Sequence, residues 1–175
     1  MSALTSAASR LHAVVDSPVG PITLVSENGK LTGLYMEVSG HPPAQETLGE
    51  RVGAADDDVL VKAASQLEAY FNGELTDFDL PLELEGTGFQ RTVWASLLDI
   101  PYGQTISYGE LARRIGQPTA SRAVGLANGR NPISIVVPCH RVVGANGSLT
   151  GYGGGLDRKR FLLALEQRVT GQTLA

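Results

Sequence analysis

One cysteine and three histidines are all the soft metal-binding and redox chemistry that this 175-residue chain carries. A single thiol cannot close a disulfide within the chain, and it argues against a cysteine-rich structural zinc site, so no metal or other cofactor is expected. Long apolar runs are missing as well. None approaches the ~18 residues that a membrane-crossing helix needs, which argues against insertion in a bilayer. The opening "MSALTSAASRLHAVV" has neither the basic start nor the continuous apolar stretch of a secretion signal, so the expected location is the cytoplasm. Positive charge is scarce in one half only. Residues 1–88 hold 4 Lys and Arg against 14 Asp and Glu, a net of −10, whereas residues 89–175 hold 10 against 4, a net of +6. The formal net charge of −4 thus conceals a C-terminal half of the sign that favours phosphate.

The length allows one sizeable core or two small domains. From His12 to Met36, short alternating apolar pieces are separated by the turn-rich "DSPVG" and "SENGK", which predicts a small antiparallel sheet. Residues 39–58 read as a surface loop. Leu60, Ala63, Ala64, Leu67 and Phe71 then fall at helical spacing, with Gly73 as the C-cap. After an extended linker, Thr87 and Gln90 form a capping-box pair ahead of an apolar face of Phe89, Val93, Trp94, Leu97 and Leu98. Ser107 and Glu110 repeat the signature, and a Gly-Gln-Pro turn separates that helix from another over about residues 119–128, a helix-turn-helix outline. "NPISIVVP" reads as a buried extended run, "GANGSLTGYGGG" as a glycine-rich loop, and residues 157–169 as a final helix burying Phe161, Leu162 and Leu165, with Arg158, Lys159 and Arg160 clustered at its start. The predicted class is α/β in the mixed, α+β sense. A small sheet-plus-helix domain over residues 1–86 precedes a mostly helical domain over residues 87–175.

Cys139 ends the apolar run and is followed at once by His140. A lone buried cysteine is most often a small hydrophobe. Its use as a nucleophile needs a base, because an unperturbed thiol is only a few per cent ionised near neutrality. Adjacent side chains diverge on most backbones, so His140 could serve only through a bridging water or a helical turn, with a carboxylate to orient it. Arg122, early in the second helix of the helix-turn-helix outline, is placed for a nucleic-acid contact. The glycines of residues 144–155 would let a flat substrate approach the backbone closely.

"NPISIVVPCHRVVG", with "SYGELARRIG", "ASRAVGLANGRNP" and "GYGGGLDRKRFLLALE" around it, closely resembles the 6-O-alkylguanine-DNA alkyltransferases, also called methylated-DNA–protein-cysteine methyltransferases, over about residues 87–168. The resemblance implies direct-reversal repair of double-stranded DNA, in which an alkyl group passes irreversibly from the 6-oxygen of a flipped guanine to Cys139, with 4-O-alkylthymine left open as a second substrate. It implies His140 as the base acting through water, Glu166 orienting it, Asn131 bracing the active-site turn and Tyr108 donating to the base. It further implies Arg122 as the finger entering the stack, with Thr119, Ser121, Ala123 and Arg141 also toward DNA, and Tyr152, Gly153, Gly154 and Val142 around the pocket. Gly153 departs from members that carry serine there. The implied partner is the minor groove, with the protein a monomer and no membrane involved. A many-turnover thiol hydrolase using Cys139, His140 and Glu166 and a non-enzymatic DNA-binding module are the rival readings.

Overall fold

Asn28 and Gly29 both take positive φ, 53° and 79°, which is the geometry of a tight two-residue hairpin turn. That turn joins β2 (Ile22–Glu27) to β3 (Lys30–Met36), and β1 (Arg10–Val15) pairs antiparallel on the other side of β2. The computed structural model describes residues 10–37, 43, 45–149 and 155–171. A two-residue β4 (Glu50–Arg51) adds in parallel to β1, completing the order β3-β2-β1-β4. This strand, and a short 3-10 turn over Ala54–Asp56, lie in the segment read from sequence as loop. Leu11 and His12 already stand in register for Glu50 and Arg51, so β4 is set by the partner edge rather than by local propensity.

The helix α1 (Asp58–Phe71) is capped by the Asp57 carboxylate, which accepts from the Leu60 amide at 3.1 Å. Its Leu60, Ala63, Leu67 and Tyr70 are buried, and the helix packs on β2 and β3. In the second half, the capping boxes predicted at Thr87 and Ser107 open α2 (Gly88–Leu97) and α3 (Tyr108–Arg114), although at Ser107 only the Ser107-to-Glu110 amide bond is made. The helix α4 (Ser121–Gly129) packs across both. Two short parallel strands, β5 (Ile106–Ser107) and β6 (Val142–Val143), tie α3 to the chain after the thiol, and α5 (Leu156–Thr170) closes the described fold. Among the described residues no helix is long and apolar enough to cross a membrane.

A single buried apolar cluster runs through both halves, from Leu24, Leu34 and Leu67 to Trp94, Val124 and Leu162. The halves also share backbone hydrogen bonds. The Leu34 amide of β3 donates to Pro132 O at 2.8 Å, so the edge of the N-terminal sheet holds the run that leads to Cys139. That run is buried as expected, but it is not a strand. The Val136 and Val137 amides bond back to Ser134 O and Ile133 O, and Ile135 sits at φ 74°. A β-branched residue in that region costs about 1–3 kcal/mol and persists only where its surroundings over-determine it. Ile135 is buried in the shared core, which supplies that constraint.

Two apolar positions also differ from expectation. Leu98 is 47% exposed because α2 ends at Leu97, and Phe161 is 39% exposed, touching Phe71 at a ring separation of 6.4 Å rather than entering the core. The junction of α2 and α4 is instead fastened by buried Trp94, whose Nε1–H donates to Ala127 O at 2.8 Å. Trp94→Phe should lower the unfolding free energy by about 1–3 kcal/mol, since it removes one of the two hydrogen bonds to Ala127 O, leaving that from the Arg130 amide, and loses ring area. Urea unfolding of the variant checks this, and an unchanged midpoint would refute it.

Candidate active site

Pro138 cannot continue the preceding turn's hydrogen bonding, and Cys139–Arg141 follow it as one 3-10 turn, closed by the Arg141 amide on Pro138 O at 3.0 Å. Its side chains fan outward, and two of them converge on one carboxylate. His140 Nε2 lies 2.7 Å from Glu166 Oε2, while Arg141 donates from Nε to Oε1 at 2.9 Å and from a terminal nitrogen to Oε2 at 3.0 Å. Tyr70 Oη adds a bond to Oε2 at 2.7 Å and the Gly103 amide one to Oε1 at 3.1 Å. Gly103 reaches this position at φ 80°, where a Cβ would stand 2.6 Å from Thr170 Cγ2.

Burial opposes the charge on Glu166, but hydrogen bonds and charge from His140 and Arg141 outweigh it and hold the carboxyl well below the usual range. The Arg141 guanidinium, which holds both oxygens, favours the ionised carboxylate. Burial in turn pushes the His140 imidazole down, against the pull of Glu166. Facing an ionised carboxylate, a neutral imidazole carries its proton on Nε2 and leaves Nδ1 as the acceptor. That Nδ1 is buried with no protein partner among the described residues.

Cys139 is 3% exposed. Burial pushes its thiol up, while hydrogen bonds from Asn131 and Ser134 and the charge of Lys159 pull it down. Asn131 braces the reversal ahead of it, donating from Nδ2 to Val137 O at 2.7 Å and accepting from the Ile133 amide at 2.9 Å. Asn128 donates to the carbonyl of Cys139 itself at 3.3 Å. Lys159 is wholly buried, with Nζ 2.6 Å from Val142 O and 5.9 Å from the centroid of the Tyr108 ring. Tyr108 opens α3 and lies under Gly125 of α4, which brings the phenol between the two helices and Lys159. Arg122, Ala123 and Thr119 are exposed around the start of α4, with Ser121 half-buried beside them.

The structure therefore brings Cys139, His140, Asn131, Tyr108 and Glu166 into one region and turns two other positions inward. Arg141, read from sequence as facing DNA, is turned inward onto Glu166 and Ile100 O, 2.7 Å away, because an ionised carboxylate buried there requires a cation. Val142, read as a pocket wall, is fully buried in β6 and its carbonyl anchors Lys159. Tyr152, Gly153 and Gly154 lie outside the described residues. Sequence reading missed Lys159, Tyr70, Gly103 and Asn128. Lys159 stands three residues before Leu162 and seven before Glu166, on the inward stripe of α5, a spacing that could have separated it from its basic neighbours.

Burial lowers the Lys159 pKa to about 8. In the unfolded chain a lysine titrates near ~10.4, so between those values the unfolded state binds the extra proton and stability should rise with pH. The difference in urea midpoint between wild type and Lys159→Met should climb across that window. A flat difference would mean that the amine is not held in this environment.

Family models for the "6-O-methylguanine DNA methyltransferase, ribonuclease-like domain" and the "6-O-methylguanine DNA methyltransferase, DNA binding domain" match residues 11–84 and 88–168. A methylated-DNA–protein-cysteine methyltransferase of Mycobacterium tuberculosis is 54% identical over 156 residues, covering 89% of this chain and 92% of its own. One from Methanosarcina acetivorans is 51% identical, covering 89% and 97%. The crystal structure of Mycobacterium tuberculosis OGT in complex with DNA superposes with a TM-score of 0.81 at 52% identity, over 91% of this chain and 94% of that one. With its thiol, its buried histidine–carboxylate pair and both halves matched in sequence and fold, the chain belongs to the 6-O-methylguanine-DNA methyltransferase family.

Proposed function

We propose that this protein repairs alkylated DNA by direct reversal, taking the alkyl group from the 6-oxygen of guanine onto Cys139 once and permanently. The observation that carries the reading is the chain's sole thiol, buried beside a neutral imidazole that is itself tethered to an ionised carboxylate. A water between His140 Nδ1 and the thiol would relay the thiol proton to the imidazole as sulfur attacks the alkyl carbon. The new S–C bond forms as the C–O bond breaks, and its electron pair passes to the guanine. Tyr108 gives its proton to the departing base and is left a phenolate while His140 holds the thiol's proton, and return of that proton from the imidazolium to the phenolate leaves guanine with the hydrogen the thiol lost. Lys159, over the Tyr108 ring and acting on the Cys139 charge, favours both anions as they develop. A thioether has no polarised carbonyl for water to attack, and the chain has no second thiol to remove the group, which supports one turnover per molecule.

A stacked guanine hides its 6-oxygen, so the reaction requires the nucleotide to be extruded. Arg122 projects from α4 and, in this reading, fills the space the base leaves, while exposed Thr119 and Ala123 and half-buried Ser121 pack along the minor groove. The N-cap of α4, Ala120, has no side-chain bond to the first turn, which suits amide contacts to a phosphate. In this reading Tyr152, Gly153 and Gly154 receive the extruded base. Residues 1–86 and 87–175 are, in this reading, two domains joined through one core, and the protein binds as a monomer. Affinity rests on the basic half and weakens with salt.

Intact-protein mass after incubation with an oligonucleotide bearing one methylated guanine should show a single methyl on the peptide containing Cys139, with yield capped at one per protein. Continued turnover, or an unmodified thiol, would sink the proposal. Cys139→Ala should retain DNA affinity while losing transfer. Arg122→Ala should slow repair of duplex by about ten-fold or more while leaving reaction with the free base within about two-fold, because only duplex needs extrusion. Equal losses on both substrates would remove the finger role.

A further inference from the structure

Tyr70 stands on the buried stripe of α1 with Leu60, Ala63 and Leu67, where an aromatic residue reads as plain core. A buried phenol needs a partner for its hydroxyl. The partner here is Glu166 Oε2, 96 residues further along the chain and in the other half of the fold. The same oxygen takes the His140 Nε2 contact, also at 2.7 Å. The ring is fixed from several sides, by Phe71 and Phe78 at 5.4 Å between centroids and Tyr102 at 6.2 Å. Its hydroxyl is therefore aimed before any substrate arrives.

The remaining donors to Glu166 cannot do the same work. Arg141 grips both oxygens from the turn that also carries His140 and is itself held by Ile100 O, so all of its anchors lie in the C-terminal half. Gly103 holds only Oε1. Tyr70 alone approaches the histidine-bearing oxygen from an element of the N-terminal half. A hydroxyl donating to a carboxylate stabilises its charge and leaves less of that charge for a second partner. Burial and the neighbouring Glu166 charge push the phenol far up, so it remains a donor throughout the pH range in which an imidazole titrates.

We infer that Tyr70 is a positioning residue for alkyl transfer, through which the N-terminal half aims the Glu166 carboxylate and limits how basic it makes His140. The inference rests on the reading of Cys139, His140 and Glu166 given above. The charged and titratable groups facing the pair are Arg141 from the turn, Lys159 from α5, and Tyr102 from the loop after α2. All of them are unchanged in the variants that follow, so a shifted profile reports the hydroxyl.

The test is the single-turnover rate of the full-length protein on a duplex containing one methylated guanine, measured from about pH 5 to 8. In Tyr70→Phe the ring stays and the donor goes. The rate at neutral pH should fall by about three- to ten-fold, and the acid limb should move up by about half a pH unit or more as His140 becomes more basic. The DNA dissociation constant should not change. Site-specific 3-fluorotyrosine at position 70 keeps the shape and strengthens the donor, so it should move the limb down, and it serves equally if the phenylalanine variant is too unstable to assay. A rate within about two-fold of wild type with an unmoved limb in either folded variant overturns the role, as does a loss of rate with no movement of the limb, which packing alone would produce. Absence of a methyl adduct on wild-type Cys139 would instead overturn the underlying reading, so the two failures are distinguishable.

Discussion

Glu166 is the charge around which the molecule is arranged. An ionised carboxylate withdrawn from water costs several kcal/mol unless it is paired and its lone pairs are filled. Here Tyr70, Gly103, His140 and Arg141 fill them. These donors come from α1, from the loop after α2 and from the turn carrying the thiol, while the carboxylate itself projects from α5. Each element must therefore sit within a fraction of an ångström of its place for the charge to be tolerated. The constraint acts in both directions: the carboxylate orients His140, and the need to satisfy the carboxylate locks the two halves of the chain together.

The same constraint explains why the thiol can be both buried and ready. Burial keeps Cys139 protonated at rest, while Asn131, Ser134 and Lys159 offer the stabilisation that a developing thiolate would draw on. A reagent that is used once should not be spent on solvent electrophiles, and a raised resting pKa serves that end. The strained reversal at Ile135 and the bracing by Asn131 present the sulfur at the close of a rigid turn rather than on a loop. Strain of this kind needs a continuous core around it, and β3 contributes by bonding directly to Pro132.

Charge is divided in space as well as along the chain. The N-terminal half is strongly acidic and the C-terminal half basic, yet six of the basic residues there, Arg113, Arg114, Arg141, Arg158, Lys159 and Arg160, are engaged by the protein itself. The exposed cation at the start of α4 is Arg122, on an element that touches the active-site turn through Asn128. In the proposed reaction, recognition of the duplex and transfer of the alkyl group thus use different faces of neighbouring elements.

By itself the sequence determined the sheet, the helices and the place of the reagent, because hairpin turns, capping boxes and apolar periodicity are short-range properties. "SENGK" becomes the β2–β3 turn, Thr87 and Ser107 cap the helices they precede, and Cys139 falls beside the histidine expected to serve it. Only the tertiary structure decided which charges face inward. Arg141 and Lys159 look like their solvated neighbours in sequence, and Tyr70 looks like core. Their roles depend on the Glu166 carboxylate, 25 residues from Arg141 and 96 from Tyr70, and on the Val142 carbonyl, 17 residues from Lys159. Hydrogen bonds and Coulomb forces act over a few ångströms of space and are indifferent to distance along the chain, so local pattern goes no further than setting Lys159 on the inward stripe of α5 and names none of these partners.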